Sequence, residues 1–311
     1  MMAQQVNRNE SVFLAALKET YERGSKRVTR NGVTKAILAR QVRFDLRENF
    51  PATTTKFLAF QVVKAENLWF LDAGKETNNR LSLAKLNELL GKPSEAPNIW
   101  SKDQARFASQ GKARFEGDCG RIYGAQWRNW QTPDGRTIDQ VAHVIKQLKG
   151  DPFSRYHVVN AWNPGEVGEM CLPPCHMKFQ LFVRPNNRKN DKMYLDLSMD
   201  QRSCDMFLGV PFNIAGYALL LSMIAQCVNM EPGELVITLE DCHVYLAALE
   251  EGRENYERGH SNQVEEQLGY APLPGPKLWL NPDVKDIDGF TMEDIQLLDY
   301  KHHGKISAEM L

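Results

Sequence analysis

Residues 212–228 (FNIAGYALLLSMIAQCV) limit what this chain can fold into more than any other stretch. Read as a helix, the run is apolar on nearly every face, so it has no side to give to water. It is interrupted and falls short of the roughly 20 residues a bilayer-spanning helix needs. Such a helix must be enclosed by protein on all sides. Strand candidates stand on both sides of it in sequence, at 156–162, 177–184, 193–200, 235–240 and 277–280, with an earlier, imperfectly alternating one at 35–46. Apolar residues at helical spacing predict helices over 10–24, 57–72, 81–90 and 138–149, and a short one at 102–110 within a loop-rich stretch, 99–135. Strands and helices do not alternate regularly, which argues against a doubly wound sheet. The expectation is an α+β fold, one domain over residues 1–311, built on a large mixed sheet flanked by helices.

Composition narrows the function classes. Lys and Arg number 38 against 39 Asp and Glu, which leaves no large positive field to attract nucleic acid. The polar start, MMAQQVNRNE, lacks the apolar core of a signal peptide, so a cytoplasmic protein without a membrane partner is expected. Six cysteines are too scattered for a disulfide scaffold. Cys171, Cys175 and His176 suggest zinc at first sight, but no second ligand pair follows at finger spacing, and no metal is expected. Residues 185–192 (PNNRKNDK) read as a polar hairpin connection, and the charged stretch 250–269 as a solvated surface helix or insertion.

The chemistry-bearing residues cluster in a few motifs. In Leu172-Pro173-Pro174-Cys175-His176 a thiol follows two rigid prolines at the entry to a strand, with an imidazole beside it. Such a setting suits a thiolate nucleophile, although a cysteine after Pro-Pro is more often structural. Gln201-Arg202-Ser203-Cys204-Asp205 closes the next strand candidate, and Asn213 opens the apolar helix. An arginine at a strand end and an amide at a helix start suit an anion and an amide-like ring edge. They are equally ordinary as caps and turns. Glu66 lies inside an apolar helical run, where a carboxylate without a role would be costly.

These motifs together resemble the thymidylate synthase and deoxypyrimidine hydroxymethylase family. The run QRSCDMFLGVPFNIAGYALL carries the resemblance, together with ENLWFL at 66–71, IYGAQWR at 122–128, TPDGRTIDQ at 132–140, DPFSR at 151–155, AWNPGE at 161–166, PPCH at 173–176 and DCHVY at 241–245, in the family's order. The resemblance implies a sheet-mediated homodimer with shared sites, dUMP as substrate and 5,10-methylenetetrahydrofolate as co-substrate. It implies Cys175 as the nucleophile that adds to the pyrimidine C6, which makes C5 attack the one-carbon donor. By the same resemblance Arg202 is a phosphate ligand that lowers the thiol pKa, braced by Gln201 and Ser203. Asn213 reads the uracil edge, Glu66 organises proton transfer at O4, and Tyr123 helps remove the C5 proton. His243 and Tyr245 bind the sugar 3′-hydroxyl, and His176 supports from behind. Asp205 anchors the pterin and joins the catalytic set, with Trp100, Leu208, Gly209, Phe212 and the terminal Leu311 around the folate. His143, His157, His260, His302 and His303 match no family role and are expected at the surface or in packing.

Three departures stand out. The family's Arg-Thr-Gly-Thr-Gly phosphate loop appears here as Thr29-Arg30-Asn31-Gly32-Val33-Thr34, leaving Arg30 as a phosphate candidate. The paired arginines that reach across the dimer appear as Arg155-Tyr156, and the tail ends Lys305-Ile306-Ser307-Ala308-Glu309-Met310-Leu311. The first expectation is synthesis of dTMP and dihydrofolate; the alternative is a hydroxymethylase in which water replaces hydride. Asn213 argues against a cytidylate hydroxymethylase, and a binder without turnover is disfavoured because every central residue is present.

Overall fold

The computed structural model describes residues 7–29, 31–185, 192–246 and 259–309. Six strands make the main sheet: β1 (Ser25–Thr29), β2 (Gly32–Asp45), β3 (Val158–Asn160), β4 (His176–Arg184), β5 (Tyr194–Asp205) and β6 (Glu231–Tyr245). Their order is β1-β2-β6-β5-β4-β3. Every neighbouring pair is antiparallel except β5 and β6, which run parallel. The sheet is therefore mixed, as the sequence predicts.

Among the described residues eight helices accompany it: α1 (Arg8–Arg23), α2 (Phe60–Asp72), α3 (Leu83–Leu89), α4 (Ser101–Ser109), α5 (Gly124–Arg128), α6 (Gln140–Gly150), α7 (Gly209–Cys227) and α8 (Ser261–Gly269). The Asn7 side chain caps α1 by accepting from the Glu10 N–H, and the helix stops where the Gly24 N–H turns back to the Thr20 carbonyl. The apolar run becomes α7, which links the parallel pair β5 and β6 and packs on both, with α2 on its far side. At 19 residues α7 is longer than the sequence suggests and apolar enough to cross a bilayer, yet most of it is buried in protein. Its apolarity is that of a core helix.

Alternation along β4 and β5 sets which face is covered. Phe179, Leu181 and Val183, with Leu195, Leu197 and Met199, point into the core, whereas Phe182 between them is exposed. The irregular alternation of 35–46 has a local cause: Ala39 sits at φ 58°, and Leu38 beside it is 80% exposed.

Several expectations need correction. The strand at 277–280 exists, but it pairs with Ile295–Leu298 in a separate hairpin and not with the main sheet. Strand β1 and helix α5 lie in segments the hydrophobic pattern does not mark. The described part of 250–269 is not simply solvated, because Val264 and Gln267 of α8 are fully buried. The hairpin at 185–192 lies mostly outside the described residues, as do 250–258.

Candidate active site

Topology gathers the predicted residues at one end of the sheet. Cys175 immediately precedes β4, and His176 pairs with Gln201 near the end of antiparallel β5. The end of parallel β6 lies alongside, with His243 opposite Asp205. Asn213 sits near the start of α7, which leaves the same end. Residues distant in the chain thus meet because three strands start or stop at one edge.

Cys175 is partly buried and free. Its neighbours hold the backbone in place. The Tyr123 hydroxyl accepts from the Cys175 N–H at 2.8 Å, the Arg202 N–H donates to the Cys175 carbonyl at 2.9 Å, and the Arg202 guanidinium donates to the Pro173 and Pro174 carbonyls at 2.7 and 2.9 Å. Burial pushes the thiol pKa up, while the Arg202 charge and the Tyr123 hydroxyl pull it back. Arg202 also lies over the Trp162 ring at 5.4 Å.

Tyr123 is 3% exposed. Its backbone takes φ 24°, outside the usual range for a residue with a side chain. It is held there by stacking on Phe70, with ring centroids 4.7 Å apart, and by Trp100 and His176. Burial raises its phenol pKa far above the ordinary value, so it stays protonated. Glu66 accepts from the Trp100 indole N–H at 2.9 Å, and burial raises its carboxyl to about 7 despite that bond. A carboxyl so tuned carries and releases a proton near neutrality.

The amide of Asn213 has a defined orientation. Gln201 donates from Nε2 to the Asn213 Oδ1 at 2.9 Å and to the Ser203 carbonyl at 3.0 Å. That contact assigns the oxygen end of Asn213 and leaves Nδ2 as its donor end. His176, buried behind it, has its pKa lowered to about 4 by burial, against a hydrogen bond with Asn213, and is neutral. Asp205 accepts the Phe207 and Leu208 N–H groups, both at 3.0 Å, and fixes the turn into α7. Leu208, Gly209 and Phe212 are half-buried on that turn. The His243 ring packs edge-on to Tyr245 at 5.3 Å, with its Nδ1 3.0 Å from the Asp241 carbonyl.

One predicted residue stands apart. Arg155 is exposed and hydrogen-bonds to no other described residue, and neighbouring Tyr156 is 79% exposed. Arg30 and Leu311 lie outside the described residues. Sequence reasoning missed Lys56, whose buried ammonium donates to the Phe207 carbonyl and lies 3.7 Å from the Phe207 ring centroid. Burial lowers its pKa to about 8, opposed by nearby Asp205. The one signal for it was a polar run, residues 53–56, between apolar stretches. Among the described residues no three His, Cys, Asp or Glu side chains are placed to hold a metal ion.

A thiol backed by a guanidinium, a phenol and a carboxylic acid, facing an oriented amide at a sheet end, defines the class: a transferase. The family model for thymidylate synthase matches residues 11–311. A thymidylate synthase from Symbiobacterium thermophilum is 42% identical over 307 residues, which cover 96% of this chain and 95% of that one. The chain belongs to the thymidylate synthase family.

Proposed function

We propose that the chain transfers the methylene of 5,10-methylenetetrahydrofolate to C5 of dUMP and reduces it, giving dTMP and dihydrofolate. The observation that carries this reading is the fixed set Cys175–Arg202–Tyr123 facing the oriented Asn213 amide. The Asn213 Oδ1 accepts from N3–H and its Nδ2 donates to O4, which favours uracil over cytosine. The Cys175 thiolate adds to C6, and electron density moves through C5 and C4 to O4, where Glu66 supplies a proton. C5 then takes up the methylene carbon. A water held by the Tyr123 hydroxyl takes up the C5 proton as tetrahydrofolate leaves and an exocyclic methylene remains. A hydride from tetrahydrofolate reduces that methylene to a methyl group, and the thiolate departs. Arg202, with Arg30, neutralises the phosphate; His243 and Tyr245 hold the sugar; Asp205, Trp100, Leu208, Gly209, Phe212 and Leu311 hold the folate.

The reading includes a homodimer. Arg155 is exposed and hydrogen-bonds to no other described residue, which suits a residue serving a second subunit's phosphate, and Phe182 is exposed on the sheet face opposite the helices. Hydroxymethyl transfer uses the same residues with water in place of hydride, and the family and the relative named above favour the synthase. Mass analysis of the product from dUMP and methylenetetrahydrofolate tests this. dTMP with dihydrofolate is expected; 5-hydroxymethyl-dUMP with tetrahydrofolate would overturn the reading.

A further inference from the structure

Two thiols that the proposed reaction does not use face each other beside the site. Cys119 lies in the short strand Asp118–Gly120, and Cys171 follows Met170, which bridges Gly120 in antiparallel fashion. That register sets Cys119 directly opposite Cys171, and the Cys171 N–H donates to the Cys119 carbonyl at 3.0 Å. Antiparallel residues so opposed lie about 5.5 Å apart at Cα, inside the roughly 4.4–6.8 Å that a disulfide spans. The two thiols also hydrogen-bond to each other. Burial, with the Cys171 sulfur beside it, pushes the Cys119 thiol well above its ordinary range, so Cys119 keeps its proton. Cys119 is fully buried, whereas Cys171 is 4% exposed.

The backbones around the pair are pinned. Arg80, itself fully buried, donates from Nε to the Asp118 carboxylate and from Nη1 to the Glu169 carboxylate, both at 2.8 Å. The Arg121 N–H donates to the Glu169 carbonyl at 2.9 Å, and a Cβ at Gly120 would lie 2.0 Å from that same oxygen. Residues 118–121 and Glu169 are therefore held against each other with no room to shift. Beyond the pair, one segment runs from Cys119 to Tyr123 and the other from Cys171 to Cys175. Both end in the contact between the Cys175 N–H and the Tyr123 hydroxyl.

We propose that Cys119 and Cys171 are a reversible oxidation site, which a small peroxide converts to a disulfide that pulls on the loop carrying Cys175. Cys171, at the more open edge, gives up its proton, and its sulfur attacks one peroxide oxygen. The O–O bond breaks, and the departing hydroxide takes that proton and leaves as water. The Cys119 sulfur then attacks the Cys171 sulfur, the S–O bond breaks, and hydroxide leaves with the Cys119 proton as a second water. Two thiols lose two electrons and one peroxide gains them; a dithiol reductant reverses the step. The sulfurs close from hydrogen-bond contact to about 2.0 Å. Because the opposite backbone is pinned, the contraction falls on Cys171 and residues 172–174. The Cys175 N–H is drawn off the Tyr123 hydroxyl, and turnover slows. Asn213, His243 and Tyr245, which hold dUMP in the reading of the preceding subsection, stay in place.

The test treats the whole protein with hydrogen peroxide while dUMP covers Cys175. Remaining thiols are alkylated, and links are mapped by fragmentation mass spectrometry that separates Cys171 from Cys175 on their shared peptide. A Cys119–Cys171 link is expected, with kcat lowered about tenfold or more, the dUMP Kd within about twofold, and recovery in dithiothreitol. Cys119→Ala and Cys171→Ala should begin near wild-type kcat and show no reversible loss at the same peroxide dose. Cys171→Ser serves where Cys171→Ala fails to fold. A link through Cys175, or one between Cys204 and Cys242, which face each other across β5 and β6, with Cys119 left free, overturns the inference. So does a Cys119–Cys171 link with unchanged kcat, or a reversible loss that persists in both folded variants. A wild type that makes no dTMP overturns the proposed function alone, since the mapped link still decides whether the pair is an oxidation site.

Discussion

Glu66 illustrates what single residues at this site cost and supply. Its carboxyl is raised to about 7 from 4.5 by burial, so between those values the folded protein keeps a proton that the unfolded chain has lost. The stabilisation is complete below the unfolded value and disappears as pH rises through the folded one. Glu66→Gln has no such loss. Its stability relative to wild type should improve between about pH 5 and about pH 8 by up to about 3 kcal/mol, measured by urea denaturation, while turnover falls. A flat difference across that range would show that Glu66 is not held as a neutral acid. Cys175 allows a sharper test. Because fluorine at C5 cannot leave as a proton, 5-fluoro-dUMP with methylenetetrahydrofolate should label the peptide containing Cys175 and no other, and Cys175→Ser should abolish the label. Labelling at Cys171 or Cys204 would reassign the nucleophile. Most of these residues were legible in the sequence because each lies in a motif of dense chemistry. Lys56 was not, since no neighbour in sequence tells its role; it acquires meaning only from Asp205 and Phe207.

Elements position these residues by close approach as well as by register. Gly124 opens α5 directly after Tyr123, and a Cβ there would lie 1.9 Å from the Phe70 carbonyl oxygen on α2. No side chain fits without moving the backbone, so α2 and α5 hold their distance only with glycine. Gly124→Ala should cost about 1–3 kcal/mol in denaturant unfolding and should lower kcat more than it raises the KM for dUMP, since it displaces the Tyr123 hydroxyl from Cys175. Wild-type stability and kcat would remove this account of the helix contact. The regular elements were readable wherever one face is buried, as in β4 and α6. Strand β1 was not, because its residues are mostly exposed and rich in Lys and Arg, so no alternating pattern marks it. The strand at 277–280 was readable as a strand, but its pairing was not, because period-two hydrophobicity identifies a face and says nothing of the partner.

At the scale of the whole molecule, the proposed dimer makes each site composite. Cys175→Ala and Arg155→Ala subunits, each poorly active alone, should recover on mixing about a quarter of wild-type activity, since half the dimers are mixed and each has one intact site. No recovery from two folded variants that exchange subunits would refute shared sites. The same scale determines how the protein comes to exist on the ribosome. Strand β2 finds its central partner only in β6, where Phe44 pairs with Leu235, and more than half of the chain is synthesised between them. The N-terminal hairpin must therefore wait, with one strand edge unpaired, until the last sheet strand has left the exit tunnel. Folding that depends on so late a segment is slow and exposes sticky intermediates, so nascent chains arrested before β6 should be protease-sensitive along their length, and release beyond it should bring protection in one step.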